Sequence, residues 1–187
     1  YSHAEGGRPP LVSGSETTAS GISSHAEGAG TTASGKYSHA EGFYNVASGH
    51  GAHVEGGKGG GIDIPTIAIG LSSHAEGLGT EAFGYFSHAE GKYTTASGDY
   101  SHAEGRFTIA SHGYSHAEGW TTVASGNKSH AEGNRTIASY VSSHAEGWET
   151  TASGFASHAE GLHTIASGNY SHSGGGGLDL ITRIVAS

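Results

Sequence analysis

Histidine and glutamate stand two residues apart in a pentapeptide, Ser-His-Ala-Glu-Gly, that recurs along the chain. These residue types allow acid–base work, metal ligation or charge-assisted hydrogen bonding. The histidines are His3, His25, His39, His53, His74, His88, His102, His116, His130, His144, His158 and His172. The glutamates are Glu5, Glu27, Glu41, Glu55, Glu76, Glu90, Glu104, Glu118, Glu132, Glu146 and Glu160. Catalysis is disfavoured because the pair repeats identically and no serine is singled out as a nucleophile. A metal ion in every repeat also fits poorly, since zinc sites gather a few ligands in one defined geometry. Ion binding in some layers stays open as an alternative.

The near one-to-one count points to pairing. Glutamates stacked about 5 Å apart repel unless each meets a donor, and a histidine from the same layer of another subunit would supply one. On this reading His25, Glu27, His39, Glu41, His74, Glu76, His88, Glu90, His102, Glu104, His116, Glu118, His130, Glu132, His144, Glu146, His158 and Glu160 line a polar oligomer interface. No catalytic residue, metal site or cofactor is expected. So many imidazoles also make assembly a candidate for pH dependence, with the sign open because carboxylate pairing raises a histidine pKa while burial lowers it.

The element that must position these residues follows from the spacing. Pentapeptides begin at Ser2, Ser24, Ser38, Ala52, Ser73, Ser87, Ser101, Ser115, Ser129, Ser143, Ser157 and Ser171, usually fourteen residues apart, nearly every one followed by a looser motif of the type Thr-x-Ala-Ser-Gly. A fixed short period marks a solenoid in which units pack mainly on their neighbours. Numbered from one to fourteen, the unit S-H-A-E-G-x-x-T-x-A-S-G-x-x reads as two short strands and two turns. Alternation along a strand puts Ser, Ala and Thr of positions 1, 3, 8 and 10 inside, and His and Glu of positions 2 and 4 outside. Glycine at positions 5 and 12 suits turns of positive φ. The expected fold is all-β: a parallel β-solenoid (β-roll) of about twelve coils. An interior of such small side chains buries little apolar area, so partner chains are expected.

Composition excludes much else. Among 187 residues there are 34 Gly and 3 Pro without a collagen period, and no Cys, so no disulfide or thiolate site exists. A formal charge of -9 with only 8 scattered Lys and Arg argues against nucleic acid. No segment has the roughly 20 consecutive apolar residues of a membrane helix, and no signal peptide is seen, so membrane insertion is not expected. The opening at Tyr1, in the slot that precedes Ser-His-Ala-Glu-Gly elsewhere, reads as a segment of a longer or processed protein. The whole of 1–187 is expected to be one repeat domain with loop insertions at 7–16 and 57–65, both in the same turn. Its tail, 174–187, reads as a Gly-rich segment and a terminal strand carrying Thr182, Ile184 and Ala186. The spacing of Leu178, Ile181 and Val185 leaves a helical alternative there.

The frame resembles the YadA-like head repeat of trimeric autotransporter adhesins, S-V-A-I-G-x-x-A-x-A-x-G-x-x. Thr66-Ile67-Ala68-Ile69-Gly70 is the stretch closest to it in wording. The Ser-His-Ala-Glu-Gly variety is also similar to repeats in phage and prophage tail fibres and appendages. The resemblance implies a left-handed parallel β-roll that forms a homotrimer and acts in attachment, outside the cell, on a cell surface or a virion. The chain departs from the family where Val and Ile become His and Glu.

The turns carry the variable residues. Phe43, Tyr44, Tyr93, Phe107, Trp120 and Trp148 fall at one turn, and Tyr37, Phe86, Tyr100, Tyr114 and Tyr170 at the other. Tyr44, Tyr93, Phe107, Trp120 and Trp148 are the candidate receptor-binding residues, for a cell-surface glycan or protein, because turn residues vary without disturbing strands. Position 9, mostly β-branched, is an alternative subunit face. His112 and Tyr140 replace Gly at position 12, where local deviation is expected. Two functions remain: an adhesive fibre segment, or a structural subunit or spacer of an extracellular filament with no receptor. An enzyme is not expected.

Overall fold

The computed structural model describes residues 1–6, 16–57, 64–176 and 184–186. The insertions at 7–16 and 57–65 and the tail helix alternative lie largely or wholly outside the described residues. Two compact units are present, Tyr1–Ala96 and Ser97–Ser187. Both are all-β parallel solenoid with two strands per coil.

In the first unit the pentapeptide strands His3–Glu5, His25–Ala29, His39–Phe43, His53–Gly56, His74–Leu78 and His88–Lys92 form one parallel ladder. Thr18–Ala19, Thr32–Ala33, Val46–Ala47, Ile67–Ala68, Glu81–Ala82 and Thr95–Ala96 form a second. The second unit repeats this arrangement. One ladder runs through His102–Arg106, His116–Trp120, His130–Asn134, His144–Trp148, His158–Ala159 and His172–Ser173. The other runs through Ile109–Ala110, Val123–Ala124, Ile137–Ala138, Thr151–Ala152, Thr164–Ala166 and Ile184–Ala186. Register is strict: His116 pairs with His130 and Glu118 with Glu132. The tail strand Ile184–Ala186 pairs with Thr164–Ala166.

The inner lining is the one alternation requires. Position 3 and 10 alanines such as Ala26, Ala33, Ala131 and Ala138 are fully buried, as are position 8 threonines such as Thr31 and Thr136. The buried serine hydroxyls and some of the threonines find backbone oxygens without crossing the roll, whereas Thr94, Thr108, Thr122, Thr136 and Thr150 Oγ1 are buried without a hydrogen-bond partner. Ser24 Oγ donates to the Gly21 carbonyl at 2.8 Å and Thr31 Oγ1 to the Glu27 carbonyl at 3.0 Å. Asn45 fills a threonine slot and reaches further, its amide donating to Glu41 O at 2.6 Å and Gly56 O at 2.9 Å.

The turns differ from expectation in an instructive way. Position 5 glycines do take positive φ, as at Gly28 with 103°. Position 12 glycines do not. There the absent Cβ is what matters, because one built on Gly21 would lie 2.0 Å from the Gly35 carbonyl oxygen of the next coil. The left-handed conformation falls instead at positions 7 and 14, on non-glycine residues such as Tyr37, Tyr44, Thr121 and Arg135, with φ between 56° and 59°. Each donates its N–H to the preceding coil, Tyr37 to Ile22 O at 2.8 Å and Thr121 to Arg106 O at 2.9 Å. Cross-coil hydrogen bonds thus offset a conformation that costs on the order of 1 kcal/mol for an L-residue. At the glycine-free corners the serine bond persists, Ser115 Oγ to His112 O at 2.6 Å, and Tyr140 N–H turns to Ser143 Oγ at 3.2 Å.

Candidate functional site

Two surfaces carry the residues singled out by sequence: the half-exposed face of the pentapeptide ladder, and the corner that follows it.

On the ladder, parallel register stacks the imidazoles. Ring centroids lie 4.8 Å apart between His130 and His144, and 4.7 Å apart between His144 and His158 with planes 1° apart. The same spacing holds in the first unit, 4.8 Å between His25 and His39. The donors facing the glutamates come from the same chain. In the second unit five histidines meet the glutamate one coil earlier: His116 Nε2 to Glu104 at 3.6 Å, His130 to Glu118 at 3.4 Å, His144 to Glu132 at 3.6 Å, His158 to Glu146 at 2.9 Å and His172 to Glu160 at 3.1 Å. In the first unit the nearest pairs lie mostly within a coil, as His25 to Glu27 at 3.8 Å and His39 to Glu41 at 4.0 Å. Only some of these contacts are hydrogen bonds, and the Nε2 atoms of His116, His130 and His144 are shielded from solvent without one. A groove in the first unit is lined by Gly28, Gly42 and Gly56 together with Glu27, Glu41 and Glu55.

Burial first, and then the neighbouring imidazoles, push His39, His74, His116 and His144 below the ordinary histidine value of 6.5. Glu41 is raised to about 7, chiefly because Glu27 and Glu55 share hydrogen bonds with it. These shifts act in opposite directions. For the four histidines the unfolded chain takes up protons first, so their contribution is full above 6.5 and is lost as pH falls below it. The Glu41 contribution is full below 4.5 and is lost as pH rises through about 7. The two sets oppose each other between pH 7 and pH 5, so the variants carry the test: His74→Gln and His144→Gln should each make the change in melting temperature on going from pH 7 to pH 5 more favourable than in the wild type. The same pH dependence in variants and wild type, measured by circular dichroism, would contradict the assignment.

The corner of the second unit gathers three of the five receptor candidates. Phe107, Trp120 and Trp148 are 40%, 42% and 49% exposed. Tyr44 and Tyr93 lie in the first unit and are half-buried, Tyr44 packed edge-on against Phe43 at 4.5 Å. Trp120 and Trp148 flank Asn134 in the ladder register, so their backbones are two rungs, or about 10 Å, apart. Asn134 Oδ1 between them is shielded and has no partner. Charged residues that sequence reading passed over complete the corner. The Arg135 guanidinium lies 5.8 Å over the Trp120 ring and donates to Glu149 Oε1 at 2.9 Å, while Arg106 lies 4.9 Å over Phe107. His163 Nδ1 is 3.1 Å from the other Glu149 oxygen. The Arg135 hydrogen bond holds the Glu149 carboxyl below the usual carboxylate range.

Parallel two-strand coils with a fourteen-residue period, small-residue interiors and variable corners define a structural repeat class, with its chemistry on the surface. A family model described as the YadA head domain repeat (2 copies) matches residues 13–38, 79–101, 89–111, 117–139 and 145–171. The chain belongs to this family, whose members are in general trimeric, adhesive, surface-exposed fibre modules and not enzymes. No curated protein matches it. Among the described residues no helix is long and apolar enough to cross a membrane.

Proposed function

We propose that this chain is an attachment segment of an extracellular fibre, on a cell surface or a virion, that assembles as a homotrimer and binds a surface glycan or protein through its corners. The observation that carries the reading is the second-unit corner, where Trp120 and Trp148 stay exposed beside Arg135 and Glu149, and Phe107 stays exposed beside Arg106. A spacer has no use for large aromatic rings left in water. Their flat apolar faces, with an amide and an ion pair alongside, suit the alternating apolar and hydroxyl surfaces of a sugar or the side chains of a protein receptor. The half-exposed histidine and glutamate face is the proposed subunit contact. Its polar rows supply hydrogen-bonding groups at every coil, where an apolar interface would need large side chains.

The test is adhesion of the purified protein to intact cells and to an immobilised glycan panel. The double variant Trp120→Ala, Trp148→Ala should keep its melting temperature and its trimer mass and lose about 10-fold or more in binding. Unchanged adhesion would overturn the corner as the receptor surface. A monomeric mass in native mass spectrometry would overturn the assembly.

A further inference from the structure

We propose that His144, His158, Glu132 and Glu146 form a binding site for a divalent transition-metal ion of the zinc type. The sequence alone favours hydrogen bonding along the ladder, and the distances in the second unit alter that balance. A hydrogen bond between imidazole nitrogen and carboxylate closes to about 2.7–2.9 Å. His158 Nε2 and Glu146 Oε1 do so at 2.9 Å. His144 Nε2 stops 3.6 Å from Glu132 Oε1 and has no hydrogen-bond partner, although it is shielded from water. In either tautomer that nitrogen is left without a partner at this separation.

A cation does. With metal–nitrogen and metal–oxygen bonds of about 2.0–2.1 Å, two neighbouring ligands of a tetrahedron stand about 3.3–3.4 Å apart. The His144–Glu132 and His158–Glu146 separations of 3.6 and 2.9 Å bracket that edge. The ligand atoms of His144, Glu146 and His158 already lie within 4.8 Å of one another. The two rings are stacked at 4.7 Å with planes 1° apart, so their in-plane nitrogens point in parallel; turning the rings out of the stack about χ2 brings both nitrogens onto one ion and completes an N2O2 set. The set matches the metal class: imidazole suits zinc, copper and nickel, and two carboxylates neutralise the ion's charge. Burial also keeps His144 below the ordinary histidine pKa, hence neutral and able to ligate at neutral pH. Electrostatics limits the occupancy, because dications on consecutive rungs less than 5 Å apart would repel strongly.

All four ligands come from one chain, so the site does not depend on adhesion, and it lies on the face proposed above as the subunit contact. Two measurements test it on the whole protein. Crystals soaked in zinc chloride should show an anomalous peak at the zinc edge between the His144 and His158 nitrogens, in contact with Glu132 and Glu146. Calorimetric zinc titration should show a tightest class of site that weakens about 10-fold or more in His144→Gln, His158→Gln and likewise in Glu132→Gln, Glu146→Gln. Peaks only at isolated surface imidazoles such as His50 or His112 would overturn the proposal, as would no peak. Glutamine variants that bind zinc like the wild type would do the same.

Discussion

Gly133→Ala is expected to destabilise the second unit by more than about 3 kcal/mol, read as a fall in the denaturation midpoint. Two costs add at this position. Its φ of 103° lies outside even the left-handed region that an L-residue occupies at tolerable strain. A Cβ there would also sit 2.2 Å from the Gly147 carbonyl oxygen and 3.0 Å from its nitrogen. The clash is with backbone, so no side-chain rotation relieves it. The atoms struck belong to the ladder that joins His130–Asn134 to His144–Trp148, and moving them breaks rungs. Gly113→Ala is the control. Its nearest neighbour is the Asn127 side-chain amide at 3.2 Å, with no unusual φ, and the cost should stay within about 1 kcal/mol. Equal losses for the two variants, or a Gly133→Ala protein as stable as the wild type, would show that the position 5 turn is not what fixes the coil spacing.

The fold was legible because one alternation decided it. Ser, Ala and Thr at positions 1, 3, 8 and 10 had to be inside once His and Glu were outside, and residues such as Ser129, Ala131, Thr136 and Ala138 are buried. What the sequence hid lies in the backbone of the corners. Tyr37, Tyr44 and Arg135 carry no local mark of left-handed conformation, because their N–H groups are stabilised by a coil fifteen residues away. A signal did exist: Gly30, Gly51 and Gly79 occupy the same two positions with φ of 69°, 66° and 62°. Reading glycine at positions 7 and 14 as the exposed form of a hidden requirement would have placed both turns. The surface was legible in residue type and less so in partner. The glutamate ladder demanded donors, but whether these came from another subunit or from the next coil depends on ring tilt and coil pitch, which no residue spacing encodes. Arg135, Glu149 and His163 are joined through consecutive coils, at 2.9 and 3.1 Å, while standing fourteen residues apart in a variable turn. The aromatic candidates divided without regard to turn position: Trp120 and Trp148 at position 6 and Phe107 at position 7 are exposed, while Tyr44, also at position 7, folds against Phe43.

Ala131→Leu should unfold the second unit under conditions where the wild type is fully native, with a loss of about 3 kcal/mol or more. Ala131 is fully buried, with Ala117 and Ala145 one rung away on either side and Ala124 and Ala138 buried in the facing ladder. Strand spacing of about 4.8 Å leaves three added carbons no room along the roll, and the interior is filled by groups no larger than Thr through most of its length. A globular core absorbs such an insertion by shifting a helix or a loop. A coil pinned above and below by parallel ladders cannot shift without breaking two sets of rungs, so more of the strain stays at the site. The chain itself sets the tolerance of this slot. Val54 occupies the equivalent position in the first unit, fully buried, beside an insertion that interrupts the regular turn, and Ser173 occupies it in the last coil at 2% exposure. Ala131→Ser should therefore cost about 1 kcal/mol, its hydroxyl reaching a strand carbonyl. Ala131→Val should fall between Ser and Leu. A graded loss in the order Ser, Val, Leu by urea denaturation would show that interior volume, more than polarity, limits which residues this repeat accepts. A leucine variant as stable as the serine one would mean that the ladders yield, and that the pitch of the roll is set by its corners alone.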